Sequence, residues 1–319
     1  MADFIDVHAH FLPDFYVAAA SAAGHEVPDG MPAWPPWSVD AHLAMMDAQG
    51  IGTSMLSISS PGVHFGSDVA ATQLARRVND YGAGLAADRS DRFGHFAALP
   101  LPNVDDALAE LARALDELGS DGLAVETNTD GIYLGAARYE PLWAEADRRG
   151  AAIFVHPTSP PGWEKIALGR PRPMLEFLFD SARTASDLLF AGVLERYRNI
   201  RWIFTHGGGV LPLVADRIEL FRTAFLGDCD SNGSSTRELL SGLWYDLAGT
   251  PFPHQVPALV GAFGKAKLLY GSDFCFTPAA AVAQQIRTVG SADLPGGGPG
   301  WKELTRSNAL GLFPRLGTE

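Results

Sequence analysis

Eight times along the chain, a short run of β-branched and aromatic residues gives way to a turn and then to an Ala/Leu/Arg-rich stretch. The runs are 3–8 (DFIDVH), 53–59 (TSMLSIS), 93–99 (FGHFAAL), 122–126 (GLAVE), 151–156 (AAIFVH), 201–206 (RWIFTH), 243–248 (LWYDLA) and 268–273 (LLYGSD). Several are apolar at consecutive positions, as expected of parallel strands covered on both faces. Helices are expected between them. One covers 105–118, with leucines at 108, 111, 115 and 118 on one face. Another covers 139–149, with Pro141 near its start and Gly150 past its end. Eight strand–helix units in 319 residues predict one α/β domain over 1–319, a closed (β/α)8 TIM barrel, with an open doubly wound sheet as the competing packing. Residues 11–38 are rich in Pro, Ala and Trp and too long for an ordinary connection; they read as a small insertion after strand 1, over the barrel mouth. Residues 227–236 and 291–300 read as exposed loops from their Gly, Ser and Pro content.

Composition narrows the partners. With 24 basic and 37 acidic side chains the formal net charge is −13, which argues against nucleic acid, whose binding depends on neutralising phosphates. An anionic small substrate gains nothing from the global field, so any attraction must be local. No apolar run approaches the roughly 20 residues of a membrane span. The opening Met1-Ala2-Asp3-Phe4-Ile5-Asp6 lacks the basic and apolar regions of a secretory signal. Two cysteines, Cys229 and Cys275, make no disulfide framework, and a reducing cytoplasm is expected.

The residues that end the strands carry the chemistry. Strand 1 ends in His8-Ala9-His10, strand 5 in His156, strand 6 in His206 and strand 8 in Asp273, so four of the nine histidines fall at strand ends. In a (β/α)8 barrel those ends converge on one mouth, where active sites are built. Three imidazoles and one carboxylate form a set suited to Zn²⁺, with Mn²⁺, Co²⁺ or Fe²⁺ possible. A lone strand-end histidine is more often a packing residue; four elements in barrel order are hard to assign to chance.

The segments Ile5-Asp6-Val7-His8-Ala9-His10-Phe11, Phe154-Val155-His156-Pro157, Thr205-His206-Gly207-Gly208-Gly209 and Tyr270-Gly271-Ser272-Asp273-Phe274 resemble the amidohydrolase superfamily. More narrowly they resemble its aminocarboxymuconate-semialdehyde decarboxylase-like branch, the amidohydrolase 2 group, over about residues 3–313. Pro35-Pro36-Trp37, Arg183 to Leu189 and Phe190-Ala191-Gly192 are most similar to the 6-methylsalicylate decarboxylases of that branch. The resemblance implies His8, His10, His156 and Asp273 as ligands of one divalent ion. It implies His206 as the histidine beside it, which activates or hydrogen-bonds the bound water or substrate. It further implies a homodimer in which Arg217 reaches the neighbouring subunit's site to hold a carboxylate; a surface salt bridge is the plain alternative. One departure matters: the muconate enzyme has a second carboxylate-binding arginine before strand 2, and residues 25–52 contain none. Strand 4 also lacks the lysine that bridges two metals in many relatives. Glu126 could bridge instead, but a capping or solvated role is expected, and one metal.

These parts predict a metal-dependent, non-oxidative decarboxylase of a small aromatic acid such as 6-methylsalicylate or another hydroxybenzoate. A hydrolase of a cyclic ester, lactone or amide is the alternative, and an idle binding barrel the third reading. The ring carbon bearing the carboxylate must be protonated before the C–C bond breaks, and Asp273, helped by His206, is the expected catalytic acid. Trp34, Trp37, Trp163 and Phe274 are expected to rim the mouth, with Trp163 and Phe274 assigned to substrate binding; packing is the alternative for each. Cys275 is expected to be a buried apolar filler, and His64 could line the pocket.

Overall fold

The structure, a computed structural model, describes residues 3–226 and 233–317. Eight parallel strands follow one another around a barrel: β1 Phe4–His10, β2 Ile51–Ser57, β3 Phe93–Ala98, β4 Gly122–Glu126, β5 Ala152–His156, β6 Arg201–Phe204, β7 Trp244–Asp246 and β8 Leu268–Leu269. Each pairs with its sequence neighbours. Bridges from Asp6 to Tyr270 and from Ala9 to Phe274 bring the last strand back to the first. The chain therefore forms the (β/α)8 TIM barrel, and the open sheet is excluded.

Alternation along the strands sorts the apolar side chains into two cores. Ile5, Val7, Met55, Phe96, Phe154, Ile203 and Leu269 form one cluster, in which the Phe96 and Phe154 rings stack at 5.3 Å. Leu312 and Phe313, at the end of the helix Trp301–Leu312, join that cluster. Leu123, Val125, Ile153, Val155, Trp202 and Phe204 belong to the second, between strands and helices. Both faces of the strands are thereby covered, the physical reason their sequences are apolar without interruption.

Three expectations need correction. The helix Val104–Asp116 buries Ala107, Glu110, Leu111 and Ala114, while Leu108 and Leu115 flank that face and Leu118 lies beyond its end. Alanines permit the close helix–sheet approach that bulkier leucines would prevent. The last ladder stops at Leu269 because Gly271-Ser272-Asp273 turns away from it, with Asp273 in the left-handed region at φ 58°. Of 227–236, residues 227–232 lie outside the described residues, and the helix Thr236–Ser241 has already begun at 236, capped by Ser235 and Glu238. Within 11–38 the chain makes a helix, Asp14–Ala22, and a single turn, Pro28–Gly30.

Candidate active site and metal centre

The β1 ladder slips register against β2 between Asp6 and Ala9. Such an irregularity re-aims side chains. Val7 belongs to the same cluster as Phe154, and the next residue, His8, has its ring 5.1 Å from Phe154. Asp6, fully buried, accepts from Ser272 Oγ (2.6 Å), Ser272 N (2.9 Å) and His8 N (3.1 Å), tying the first strand to the chain beyond β8. Burial pushes its pKa up to about 6 in spite of those bonds. A Cβ at Gly271 would lie 2.7 Å from His8 Cβ, so only glycine lets the β8 end approach this closely.

His8, His10, His156 and Asp273 each direct one ligand atom to a common point, all within 4.8 Å of one another. The other ring nitrogens fix their orientation. His8 Nδ1 lies 2.8 Å from Asp246 Oδ2, His10 Nδ1 is 3.1 Å from Ser57 Oγ, and His156 Nδ1 donates to the Pro157 carbonyl at 2.8 Å. That leaves the Nε2 atoms inward, with those of His8 and His10 only 3.1 Å apart. Asp273 Oδ1 is 3.4 Å from His8 Nε2 and 3.2 Å from His10 Nε2.

Converging lone pairs and a carboxylate call for a cation. Burial alone would discharge His8, but Asp246 and Asp273 outweigh it and push its pKa up to about 10. Burial holds His10 below the ordinary value and His156 well below it, the latter also opposed by its neighbouring imidazoles. Asp273, which burial would raise, is held well below the carboxylate range by His8, His10 and His206. The same carboxylates that favour a charged His8 favour a divalent ion, which fits this donor set and would compete with protons for it.

His206 stands beside the cluster, its Nε2 3.5 Å from Asp273 Oδ2. It occupies the left-handed region at φ 51°, held there by its amide donating to Asp246 Oδ1 (2.9 Å) and by the Gln255 side chain donating to its carbonyl. Asp246 thus orients His8 with one oxygen and fixes the His206 backbone with the other. A cavity of about 190 Å³ opens on His156, His206 and Asp273 and is walled by Phe177, Phe276 and Asp29. The 11–38 segment contributes Pro28, Asp29 and Met31 to this wall. An outer cavity of about 620 Å³ shares Asp29 and is lined by Glu126, Trp163 and Arg172 among others.

The aromatic residues named from sequence fall differently. Phe274 is buried against His42, ring centroids 4.9 Å apart, and lines neither cavity; Phe276, two residues on, faces the inner one and lies 5.6 Å from the His10 ring. Trp163 lines the outer cavity. Trp34 lies near Phe276 at 6.3 Å, whereas Trp37 packs on Phe11 and donates to His42 Nδ1. Arg217 is exposed on the helix Leu211–Phe221, over the Phe221 ring, and lines neither cavity of its own chain. His64 lines the outer cavity, paired with Asp68 and Asp130. Cys275 is a free thiol whose pKa burial pushes up to about 12; Cys229 lies outside the described residues. Glu126 lines the outer cavity with most of its side chain covered. Its side chain is 13% exposed, its Oε2 is buried without a hydrogen bond, and burial raises its pKa well above the usual range. At 3.7 Å from His156 Nδ1, which already donates to Pro157, it forms no effective pair.

Sequence reasoning missed Asp246, Asp6, Asp29, Arg172 and Phe276. A signal existed for the first two: a carboxylate inside an otherwise apolar strand must be buried and bonded.

The barrel and its strand-end ligand cluster define a metal-dependent (β/α)8 enzyme. The amidohydrolase family (amidohydrolase 2) matches residues 5–312, and the chain belongs to it. It is 35% identical over 328 residues to the 6-methylsalicylic acid decarboxylase of Aspergillus aculeatus, covering 98% of this chain and 96% of that one. It is 34% identical over 332 residues to the decarboxylase macB of Penicillium terrestre, covering 99% and 96%. A crystal structure of an amidohydrolase II superposes with a TM-score of 0.89 at 32% identity, covering 98% of this chain and 100% of that one.

Proposed function

We propose that this protein is a metal-dependent, non-oxidative carboxy-lyase of a small ortho-hydroxy aromatic acid of the 6-methylsalicylate kind. His8, His10, His156 and Asp273 would hold a single divalent ion, zinc by the donor set, with manganese, cobalt or iron as substitutes. The observation that carries this reading is the split role of Asp273: Oδ1 faces the ligand imidazoles, while Oδ2 faces His206 beside a cavity walled by aromatic rings. Relatives along the whole chain are decarboxylases.

The bound ion would supply the positive charge and anchorage that an acidic protein lacks for a carboxylate and its ortho oxygen. Asp273, kept ionised by the surrounding imidazoles, takes a proton from bound water or substrate and passes it to the ring carbon that bears the carboxylate; carbon dioxide leaves, and the bonding pair restores the aromatic ring. His206 replenishes the proton on Oδ2, the oxygen it adjoins. Phe276 and Phe177 confine the ring. The volume of about 190 Å³ is below the roughly 300–1,000 Å³ of pockets for drug-sized ligands and suits a single small ring.

The test is carbon dioxide release from 6-methylsalicylate, abolished by chelation and restored by Zn²⁺ or Mn²⁺. Hydrolysis of an aryl lactone without any carbon dioxide release would overturn the lyase reading in favour of a hydrolase.

Homodimerisation belongs to the same proposal. The neighbouring helices Glu176–Phe190 and Leu211–Phe221 expose Phe179 (47%), Leu213 (75%) and Leu220 (49%), an apolar face that a second copy would cover, with Arg217 beside it. Sedimentation should show a dimer, and a monomeric active species would remove Arg217 from the mechanism. Among the described residues no helix is long and apolar enough to cross a membrane. A cytoplasmic location suits the free thiol of Cys275.

A further inference from the structure

Among the described residues, one lysine or arginine lines either cavity of the mouth: Arg172, in the outer one. Its guanidinium carbon stands over the Trp163 ring, 4.0 Å from the centroid. Nε donates to Ser159 Oγ at 2.9 Å, and Ser159 in turn donates to Asp29 Oδ1 at 2.5 Å. Gly30, at φ 75°, closes the other side; a Cβ there would sit 2.4 Å from Arg172 Nη1. Three contacts therefore hold the group in place. Neither Nη nitrogen has a hydrogen-bond or ion-pair partner among the described residues. Burial lowers its pKa, and although Asp29, Glu176 and Glu164 favour its charge, none forms an ion pair with it. A part-buried cation left unmatched costs stability unless something recovers it. A planar fork with free donors, held on an aromatic face, suits a planar carboxylate.

We propose that Arg172 is an anion-docking site of the outer cavity, which receives the carboxylate of an aromatic acid in the space that shares Asp29 with the cavity on the ligand cluster. The inference deepens the lyase reading and rests on it for the nature of the ligand. It also supplies the local attraction that a chain of net charge −13 requires. Asp29 stands between the two cavities, so its carboxylate disfavours an acid that enters the inner cavity with its own carboxylate turned outward. Docking outside and orientation inside are then the work of one Asp29–Ser159–Arg172 chain.

The test uses metal-stripped protein titrated with salicylate, followed by calorimetry and by tryptophan fluorescence, since Trp163 adjoins the site. Binding at one equivalent is expected, weakened about 10- to 100-fold in R172Q, the loss expected for hydrogen bonds to a charged group. R172K, which keeps the charge but not the fork, should fall between, and binding to the wild type should weaken with salt more steeply than binding to R172Q. In the metal-loaded enzyme R172Q should show its larger effect on KM. Equal affinity of wild type and R172Q for salicylate, or a loss confined to kcat, overturns the proposal. Absence of carbon dioxide release by the wild type would instead condemn the lyase reading, because the titration of stripped protein does not depend on turnover.

Discussion

The two cavities of the mouth share Asp29 and differ in how their polar groups are matched. Around the inner one nearly every donor and acceptor has a partner: Asp246 serves His8 and the His206 amide, Asp6 serves Ser272 and His8, and Ser57 and Pro157 hold the other imidazoles. Around the outer one Glu126 Oε2 is buried without a hydrogen bond, and the Arg172 fork is free. Matched groups hold a geometry to within the tolerance that chemistry requires, at the cost of adaptability. Unmatched groups hold little by themselves and await a ligand. On the proposed reading, one side is fitted to reaction and the other to recognition.

The comparison predicts large effects on the matched side. Asp273→Asn should lower turnover by about 10²–10⁴-fold, the usual contribution of a positioned proton donor, and should also lower metal content. Single-turnover kinetics and metal analysis check both; full activity with normal metal would break the assignment. Asp246→Asn keeps the shape but weakens the acceptor behind His8 and the His206 amide. Metal affinity should fall about 10–100-fold, read by competition with a chromophoric chelator.

A third prediction extends the comparison to the barrel wall. His95 on β3 is buried, with Nδ1 3.0 Å from Ser120 Oγ and Nε2 unpartnered, and burial lowers its pKa to about 3. The unfolded chain then binds a proton that the folded one refuses between about pH 6.5 and 3, so stability is present above that window and declines as pH falls into it. The slope contributed by this residue is about 1.4 kcal/mol per pH unit. Urea denaturation at pH 7 and pH 5 should show a shallower loss for His95→Gln than for the wild type, and an identical loss would contradict a neutral, buried imidazole. The last effect belongs to a buried neighbour of Glu126. Thr127 donates to Asp180 at 2.5 Å and accepts from the Thr158 amide at 3.2 Å, so Thr127→Val should cost about 1–3 kcal/mol of stability with metal content unchanged.

Legibility followed the same division. Strands β3, β4 and β5 were readable almost to the residue, because burial on both faces leaves an uninterrupted apolar run. The strand-end histidines could be placed because a barrel brings those ends together whatever the loops do. What escaped depends on contacts between distant segments. Arg172 acquires its setting from Gly30 and Asp29, across about 140 residues, and no local pattern announces that meeting. Phe274 and Phe276 are two apart and share a composition; the turn after Asp273 decides which of them faces the cavity. Glu126 is harder to read, because carboxylates at strand ends are usually wet, and here the chain at Gly62 packs against its side chain while Oε2 is left without a partner.

The bond from Ser272 to Asp6 joins residues 266 positions apart. At the roughly 5–20 residues per second of ribosomal synthesis, the first strand waits on the order of 10–50 s with one edge bare before its final neighbour emerges. His8 and His10 leave the ribosome in that same early stretch, long before Asp273, so on the proposed ligand set an ion could be loaded in full only after translation is nearly done. A cell short of metal would accumulate finished barrels lacking it, and supplementing the ion after synthesis should recover them.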